Sequence, residues 1–183
     1  MDHKNFITNY NNKIYELVNS VPTDQIENII EIIANTSKNN GTVYIVGNGG
    51  SASIASHVSV DFTKTTNIIS KTFNDSNLIT CFANDFGYEN WVKQAVKSYC
   101  NNNDTLILIS SSGQSLNIIN AARYCKESNI SLVTLSGFKS DNPLSKIGNE
   151  NIYINSNSYN FVEMSHHIIL VSIVDIFAQK LNK

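Results

Sequence analysis

From Thr42 onward, short apolar runs of strand length alternate with stretches of helical period, and two of those runs end in a Gly/Ser-rich turn that opens a helix. Thr42-Val43-Tyr44-Ile45-Val46 reads as a buried strand, followed by a glycine-rich turn and a helix over roughly 51–63. A weaker strand is expected near 69–73, and 78–100 is mainly helical, although Leu78-Ile79-Thr80-Cys81 could be extended. Thr105-Leu106-Ile107-Leu108-Ile109 is a strong strand, with a helix from Ser115 to Ser128 behind it. Ser131-Leu132-Val133-Thr134-Leu135 and Ile152-Tyr153-Ile154 supply two more strands, the last at an edge, and an apolar helix closes the chain from about Asn160 to Leu181. Strands that alternate with helices imply a parallel sheet covered on both faces. The expected fold class is therefore α/β, a flavodoxin-like five-stranded parallel sheet in the order 2-1-3-4-5 with helices on both faces.

Two helical patterns precede the sheet. Phe6, Tyr10, Ile14 and Leu17 mark the first; Thr23 is placed to cap the second, where Ile26, Ile29, Ile30, Ile33 and Ala34 recur, and Gly41 ends the helical region. No repeat or linker divides the chain, so residues 1–183 are expected to form one domain. With 42% hydrophobic and 15% charged residues it has the composition of a folded protein. A net charge of −2 without a long basic run argues against nucleic-acid binding. The opening MDHKNFITNY lacks a signal-peptide core and no apolar run is expected to reach the ~20 residues that span a bilayer, so no membrane association and a cytoplasmic location are expected. Cys81, Cys100 and Cys125 have no metal-finger spacing and are expected to be small buried residues.

The chemistry sits in the two turns. Gly47-Asn48-Gly49-Gly50-Ser51-Ala52 follows the first strand, where glycines permit close backbone approach to an anion and Ser51 can cap the helix or offer its hydroxyl to a ligand. Ser110-Ser111-Ser112-Gly113-Gln114-Ser115 follows the third strand and sets four hydroxyls around one glycine. In the expected topology these strands are neighbours, and their C-terminal ends form the switch point where open α/β sheets bind ligands. The first turn has no Gly-Lys-Ser/Thr ending and is not a P-loop. Its loose G-x-G-x-x-A pattern lacks a well-placed acidic residue about twenty positions on, so no nucleotide cofactor is expected.

GNGGSASIASHVSVDF, ANDFGYE, ISSSGQSLNII and FVEMSHHIIL together resemble the sugar-isomerase (SIS) domain family, and within it the phosphoheptose isomerases that act on sedoheptulose 7-phosphate. The resemblance spans nearly the whole chain. It implies an SIS fold whose N-terminal helical pair, residues 1–40, packs on the domain and at an oligomer interface. It implies isomerisation of sedoheptulose 7-phosphate to D-glycero-D-manno-heptose 7-phosphate, a precursor of lipopolysaccharide or capsule heptose. It assigns phosphate contacts to Ser51, Ser110, Ser111, Ser112 and Ser115, and sugar contacts to Asn48, Gly49 and Asp75, with Asn84 and Asp85 near the site. It further implies homotetramers with sites shared between subunits, and a zinc ion at His57, Asp61 and Glu163.

His57 and Asp61, spaced i, i+4, share a helix face one turn past the first loop and could hold a metal or a proton acceptor. Ketose–aldose isomerisation moves a proton between adjacent carbons through an enediol, which requires a base, an acid and stabilisation of an oxyanion. Where the resembled family carries a Glu, Asp61 keeps the carboxylate on a shorter arm. On the last helix, Glu163 with His166 at i+3 or His167 at i+4 could face the pocket. The family's catalytic His on this helix falls at Val171, which cannot transfer a proton. Either His166 or His167 substitutes, or the protein binds a sugar phosphate without turning it over, as a regulatory SIS protein would; a related sugar phosphate is a third possibility.

Overall fold

Continuous runs of β-branched and aliphatic residues form strands here because both faces of the sheet are covered. The computed structural model describes residues 2–181, with side chains through 179; Met1, Asn182 and Lys183, included in the expected single domain, lie outside the described residues. In chain order the elements are α1 (His3–Asn19), α2 (Thr23–Lys38), β1 (Val43–Gly47), α3 (Gly50–Thr65), β2 (Ser70–Lys71), α4 (Ser76–Phe86) and α5 (Trp91–Tyr99). They continue with β3 (Thr105–Ser110), α6 (Leu116–Glu127), β4 (Ser131–Gly137), a single 3-10 turn (Leu144–Lys146), β5 (Glu150–Ile154) and α7 (Tyr159–Leu181). All strand pairs are parallel and the order is β2-β1-β3-β4-β5, as expected from the sequence.

Side chains alternate across the sheet with the strand period and divide the core in two. Val43, Ile45, Ile107, Ile109, Val133 and Leu135 pack with α2, α3 and α7 on one face. Tyr44, Val46, Leu106, Leu108 and Leu132 pack with α5 and α6 on the other. Burying each such aliphatic side chain contributes about 1.5–3 kcal/mol. Both N-terminal helices lie on the domain: α1 against α7, where Tyr10 and Phe161 rings meet at 4.6 Å, and α2 against β5 and β3.

The boundaries differ from the sequence reading in instructive ways. Pro22, not Thr23, occupies the N-cap of α2, and Thr23 is its first helical residue. Asn40, at φ 55, rather than Gly41, makes the left-handed turn that ends α2, with the Asn40 N–H donating to Ser37 O and the Gly41 N–H to Thr36 O. β2 is only two residues long; its Ser70 is tied to Thr63 and to Val43 O, and the chain then turns away so that Phe73 can stack on Tyr44. Leu78–Cys81 is helical, because Asp75 caps α4 by accepting the Asn77 and Leu78 N–H groups at 2.9 and 3.0 Å. Of the cysteines, Cys125 is buried, Cys100 half-buried and Cys81 exposed; burial pushes the Cys125 thiol up to about 12.

One apolar stretch does reach bilayer length: Tyr159–Gln179 in α7 is long and apolar enough to cross a membrane, which the sequence reading had not expected. Here Val162, Ile169, Leu170, Ile173 and Val174 of that helix are buried in the core between α1, α3 and the sheet. That packing covers part of the apolar stretch, while Tyr159, Met164 and Ile168 stay exposed.

Truncating the centre of this core tests the two-layer arrangement. Ile107→Ala, at a fully buried site, is expected to lower unfolding free energy by about 2–5 kcal/mol in a urea titration, with little change in slope.

Candidate functional site

β1 and β3 pair so that Gly47 lies beside Ile109, and the two turns leave the sheet next to each other. In the first turn Gly49 is the N-cap of α3 at φ 54 and ψ −121, a conformation that only glycine adopts readily. No side chain caps this end of α3; Ser51, considered as a cap, sits in the first turn of the helix and is 2% exposed. In the second turn the Ser110 hydroxyl donates to Ser115 Oγ at 3.0 Å, and Ser112 Oγ accepts the Gln114 N–H at 3.3 Å. Ser115 is the N-cap of α6 and its side chain makes no capping bond.

Between the turns lies a cavity of about 110 Å³. Ser51, Ser110, Ser111, Ser112 and Ser115 all line it, with Asn48 at one side and Tyr159 and Glu163 of α7 at another. The Ser111 hydroxyl is buried and has no hydrogen-bonding partner. A buried hydroxyl left unsatisfied costs about 1–3 kcal/mol, so an acceptor on a ligand would relieve it. Larger hollows lie elsewhere, one of about 560 Å³ beside Tyr44, Phe73 and Phe82 and one of about 400 Å³ at the start of β4. Neither contains the paired turns, and the polar cavity at the switch point is where the fold concentrates hydroxyls beside two helix N-termini.

The turns are clamped together by a reciprocal amide pair. Asn48 Nδ2 donates to Asn117 Oδ1 at 3.0 Å, and Asn117 Nδ2 returns a bond to Asn48 Oδ1 at 2.9 Å. The Tyr88 hydroxyl also donates to Asn48 Oδ1, at 3.3 Å. Asn48 therefore reaches the cavity with its amide already engaged, and Asn117, 2% exposed, links α6 to the first turn.

Past the cavity α3 carries the ionisable groups. His57 Nε2 lies 3.1 Å from Asp61 Oδ2, and His57 Nδ1 lies 2.7 Å from His167 Nε2, with the two imidazoles edge to face at 4.9 Å. In the neutral tautomer that donates to the Asp61 carboxylate through Nε2, His57 accepts from His167 through Nδ1. The result is a continuous chain, Asp61–His57–His167. Burial, reinforced by the nearby His57, pushes His167 below the ordinary imidazole value, while Asp61 opposes this. Side-chain exposures of 53% for His57 and 33% for Asp61 keep the chain open to a ligand.

His166 does not belong with them. It is fully buried, its Nε2 faces Ser136 O at 3.2 Å, and its Nδ1 has no partner. Adjacent residues on a helix point about 100° apart, so once His167 faces α3, His166 must enter the core. Burial pushes it down to about 4. Glu163 stands one turn before His167, its carboxylate so close to Gly50 that a methyl group there would run into it. Thus His57 and Asp61 touch each other, whereas Glu163 sits at the cavity. Among the described residues no three His, Cys, Asp or Glu side chains gather as a metal cage, so the expected zinc ligands do not form one in the protomer. Val171 packs against the core.

Three expected sugar contacts stand apart from the cavity. Asp75 is engaged as the α4 cap, and Asn84 and Asp85 bond to each other at 2.9 Å on the exposed end of α4. Tyr159, Asn117 and Tyr88 were missed. Tyr159 was legible as the residue one turn before Glu163 on the same face; Asn117 and Tyr88 are long-range contacts without a local signal.

His166 has a measurable signature. Its folded value lies below the unfolded one, so the unfolded chain binds more protons between about 6.5 and about 4, and stability falls as pH drops through that window. His166→Gln, which keeps a donor for Ser136 O, is expected to flatten that fall in urea titrations across pH 4–7, with His167 supplying the remaining slope.

Comparison with known proteins follows this geometry. The SIS domain family profile matches residues 8–137. Phosphoheptose isomerase 2 of Campylobacter jejuni (serotype O:2) is 36% identical over 124 residues, 61% of this chain and 62% of that protein. The chain thus spans under two thirds of that relative's length. The phosphoheptose isomerase of Campylobacter jejuni (serotype O:6) is 30% identical over 159 residues, covering 83% of this chain and 84% of its own. Among solved structures, a phosphoheptose isomerase from Neisseria gonorrhoeae superposes with a TM-score of 0.87 at 18% identity over 97% of this chain and 99% of that one, a likeness of fold.

Proposed function

The chain belongs to the SIS domain family, and from that premise we propose that it is a ketose–aldose isomerase of phosphorylated sugars, with sedoheptulose 7-phosphate as substrate and D-glycero-D-manno-heptose 7-phosphate as product. The observation that carries the reading is the hydroxyl-lined cavity between the two turns, where the buried Ser111 Oγ lacks a partner. A phosphate there would accept from the serine hydroxyls and from the open first turn of α6, with both helix dipoles favouring its charge. The relatives named phosphoheptose isomerase support the substrate class.

The spacing along α3 suits the chemistry. Six residues separate Ser51 from His57, so the imidazole lies about 9 Å along the helix from the phosphate turn, the reach of an extended sugar phosphate. In this reading Asp61 takes a proton from C1 of the ketose while the C2 carbonyl oxygen gains one, giving the enediol. The same proton returns to C2 as the C1 hydroxyl loses its hydrogen, and the aldose forms without net redox change. His57, held between Asp61 and His167, carries protons to and from the oxygens. His167 takes the place of the family's histidine, which falls at Val171.

We further propose that the working form is a homotetramer with sites shared between subunits, in the cytoplasm, without nucleotide cofactor, nucleic acid or membrane. Phe6, Ile7 and Tyr15 of α1 are exposed apolar side chains, as are Phe86 and Tyr88 beside the site, and such side chains suit contact with other copies. A second reading, a binding protein without turnover, is favoured by one observation: Val171 is packed where the family has its catalytic histidine.

NMR of the purified protein with sedoheptulose 7-phosphate, run with added zinc and with chelator, separates these. We expect the aldose to accumulate. No conversion under either condition, together with saturable thermal stabilisation by the sugar phosphate, would establish the binding reading. Asp61→Asn is expected to lower kcat by about 10²-fold or more with phosphate affinity retained; unchanged turnover would remove Asp61 as the base. Ser112→Ala is expected to weaken sugar-phosphate binding by about 10- to 100-fold, the loss of one bond to a charged ligand, and equal affinity would place the phosphate elsewhere.

A further inference from the structure

Beneath the serine turn lies a buried amide that the proposed reaction does not use. Asn142 is 2% exposed and does not line the cavity. Its Nδ2 shares two hydrogens among Ser136 Oγ at 3.1 Å, Gly137 O at 3.3 Å and Lys139 O at 2.8 Å. Its Oδ1 accepts the Ser145 N–H at 2.9 Å. Both ends of the amide are thus engaged with backbone and side chain of the end of β4 and the segment that follows it.

That segment grips the turn from below. The Gly137 N–H donates to Ser111 O at 2.9 Å, and the Leu144 N–H donates to Gly113 O at 3.2 Å. Asn142 lies between these two donors and ties the Gly137 end to the 3-10 turn that carries Leu144. It also fills the space under Gly113, which stands at φ 65, so that a methyl group at Gly113 would run into the Asn142 amide. Ser112 sits between the two tied carbonyls. From α7, His166 Nε2 holds the Ser136 carbonyl, the same residue whose hydroxyl Asn142 engages.

We propose that Asn142 is a positioning residue that holds the serine turn in its anion-binding shape before the ligand arrives, and thereby sets the affinity for the phosphate group of the substrate without touching it. The inference rests on the reading of the cavity as the phosphate site. A turn containing a glycine at positive φ has many alternative conformations, and ordering it only when phosphate binds would subtract from affinity. The buried amide removes that cost in the free protein. Because Asn142 makes no hydrogen bond to Asp61, His57 or His167, its loss acts on binding rather than on proton transfer.

The test compares Asn142→Ala with Ser145→Ala, a change that loosens the same segment by removing the Ser145 hydroxyl from Asn142 O and Ser140 O while leaving the contacts to Ser111 and Gly113 intact. Calorimetry with sedoheptulose 7-phosphate and with inorganic phosphate gives affinity, steady-state kinetics give kcat and KM, and circular dichroism with thermal melts reports folding. Asn142→Ala is expected to raise Kd for both ligands and KM by about tenfold or more, with kcat and its pH profile within about threefold of the parent. Ser145→Ala should leave affinity within about twofold. If Asn142→Ala does not fold, Asn142→Ser takes its place with the same expected pattern. Parental affinity in a folded Asn142 variant, or an equal loss in Ser145→Ala, overturns the positioning role while the phosphate site stands. A parent protein that binds neither ligand overturns the phosphate reading and this inference with it.

Discussion

Gly47 lies beside Ile109 because β1 pairs in parallel with β3 over its full length, and the whole site follows from that register. The pairing is anchored at the opposite end of the strands, where Asp104 accepts the Thr42 and Asn101 N–H groups at 2.7 and 2.8 Å and Thr36 meets Thr105 at 2.6 Å. A slip of one residue would turn Ile45 and Ile107 from the α3–α7 face to the α5–α6 face and reverse every neighbour, so burial on both sides fixes the register firmly. With the strands held, the two turns have no freedom to part, and the Asn48–Asn117 amide pair closes the remaining gap.

The strands were legible in the sequence because β1, β3 and β4 are mainly apolar runs buried on both faces of the sheet. What escaped were features decided by contacts outside the local window. β2 is an edge strand cut short by the stacking of Phe73 on Tyr44. The Leu78–Cys81 segment carries β-forming residues, yet the Asp75 cap just before it supplies acceptors for the first N–H groups and the helix wins. α7 shows the converse: its composition fits a membrane span as well as a core helix, and its packing against α1, α3 and the sheet is visible only in the structure.

At the site, residue type was informative and geometry was not. The serine-rich turns could be recognised because hydroxyls, a glycine and a following helix form a local pattern. Asn117 bonds to a residue 69 positions away, and Asn142 matters through Gly113, whose missing side chain leaves no trace in the sequence except a glycine among many. Asp75 shows how a local role coexists with a long-range expectation. Its position after β2 matched a sugar contact, but a carboxylate that already accepts two backbone N–H groups is held at the start of α4.

The choice between His166 and His167 was open to the sequence but closed by helix phase. α3 and α7 run in the same sense, with Gly50 against Glu163, His57 against His167 and Phe62 against Phe177. Glu163 and His167 are four apart and share a face, whereas position 171, one turn further, lies where α7 has leaned onto apolar neighbours and Val171 joins the core. A histidine one turn earlier reaches His57 directly. The shorter carboxylate fits the same geometry: Asp61, one methylene less than Glu, stays within 3.1 Å of His57 on its own helix rather than extending past it. Asp61 meets one ring nitrogen of His57, and His167, one turn before position 171, meets the other.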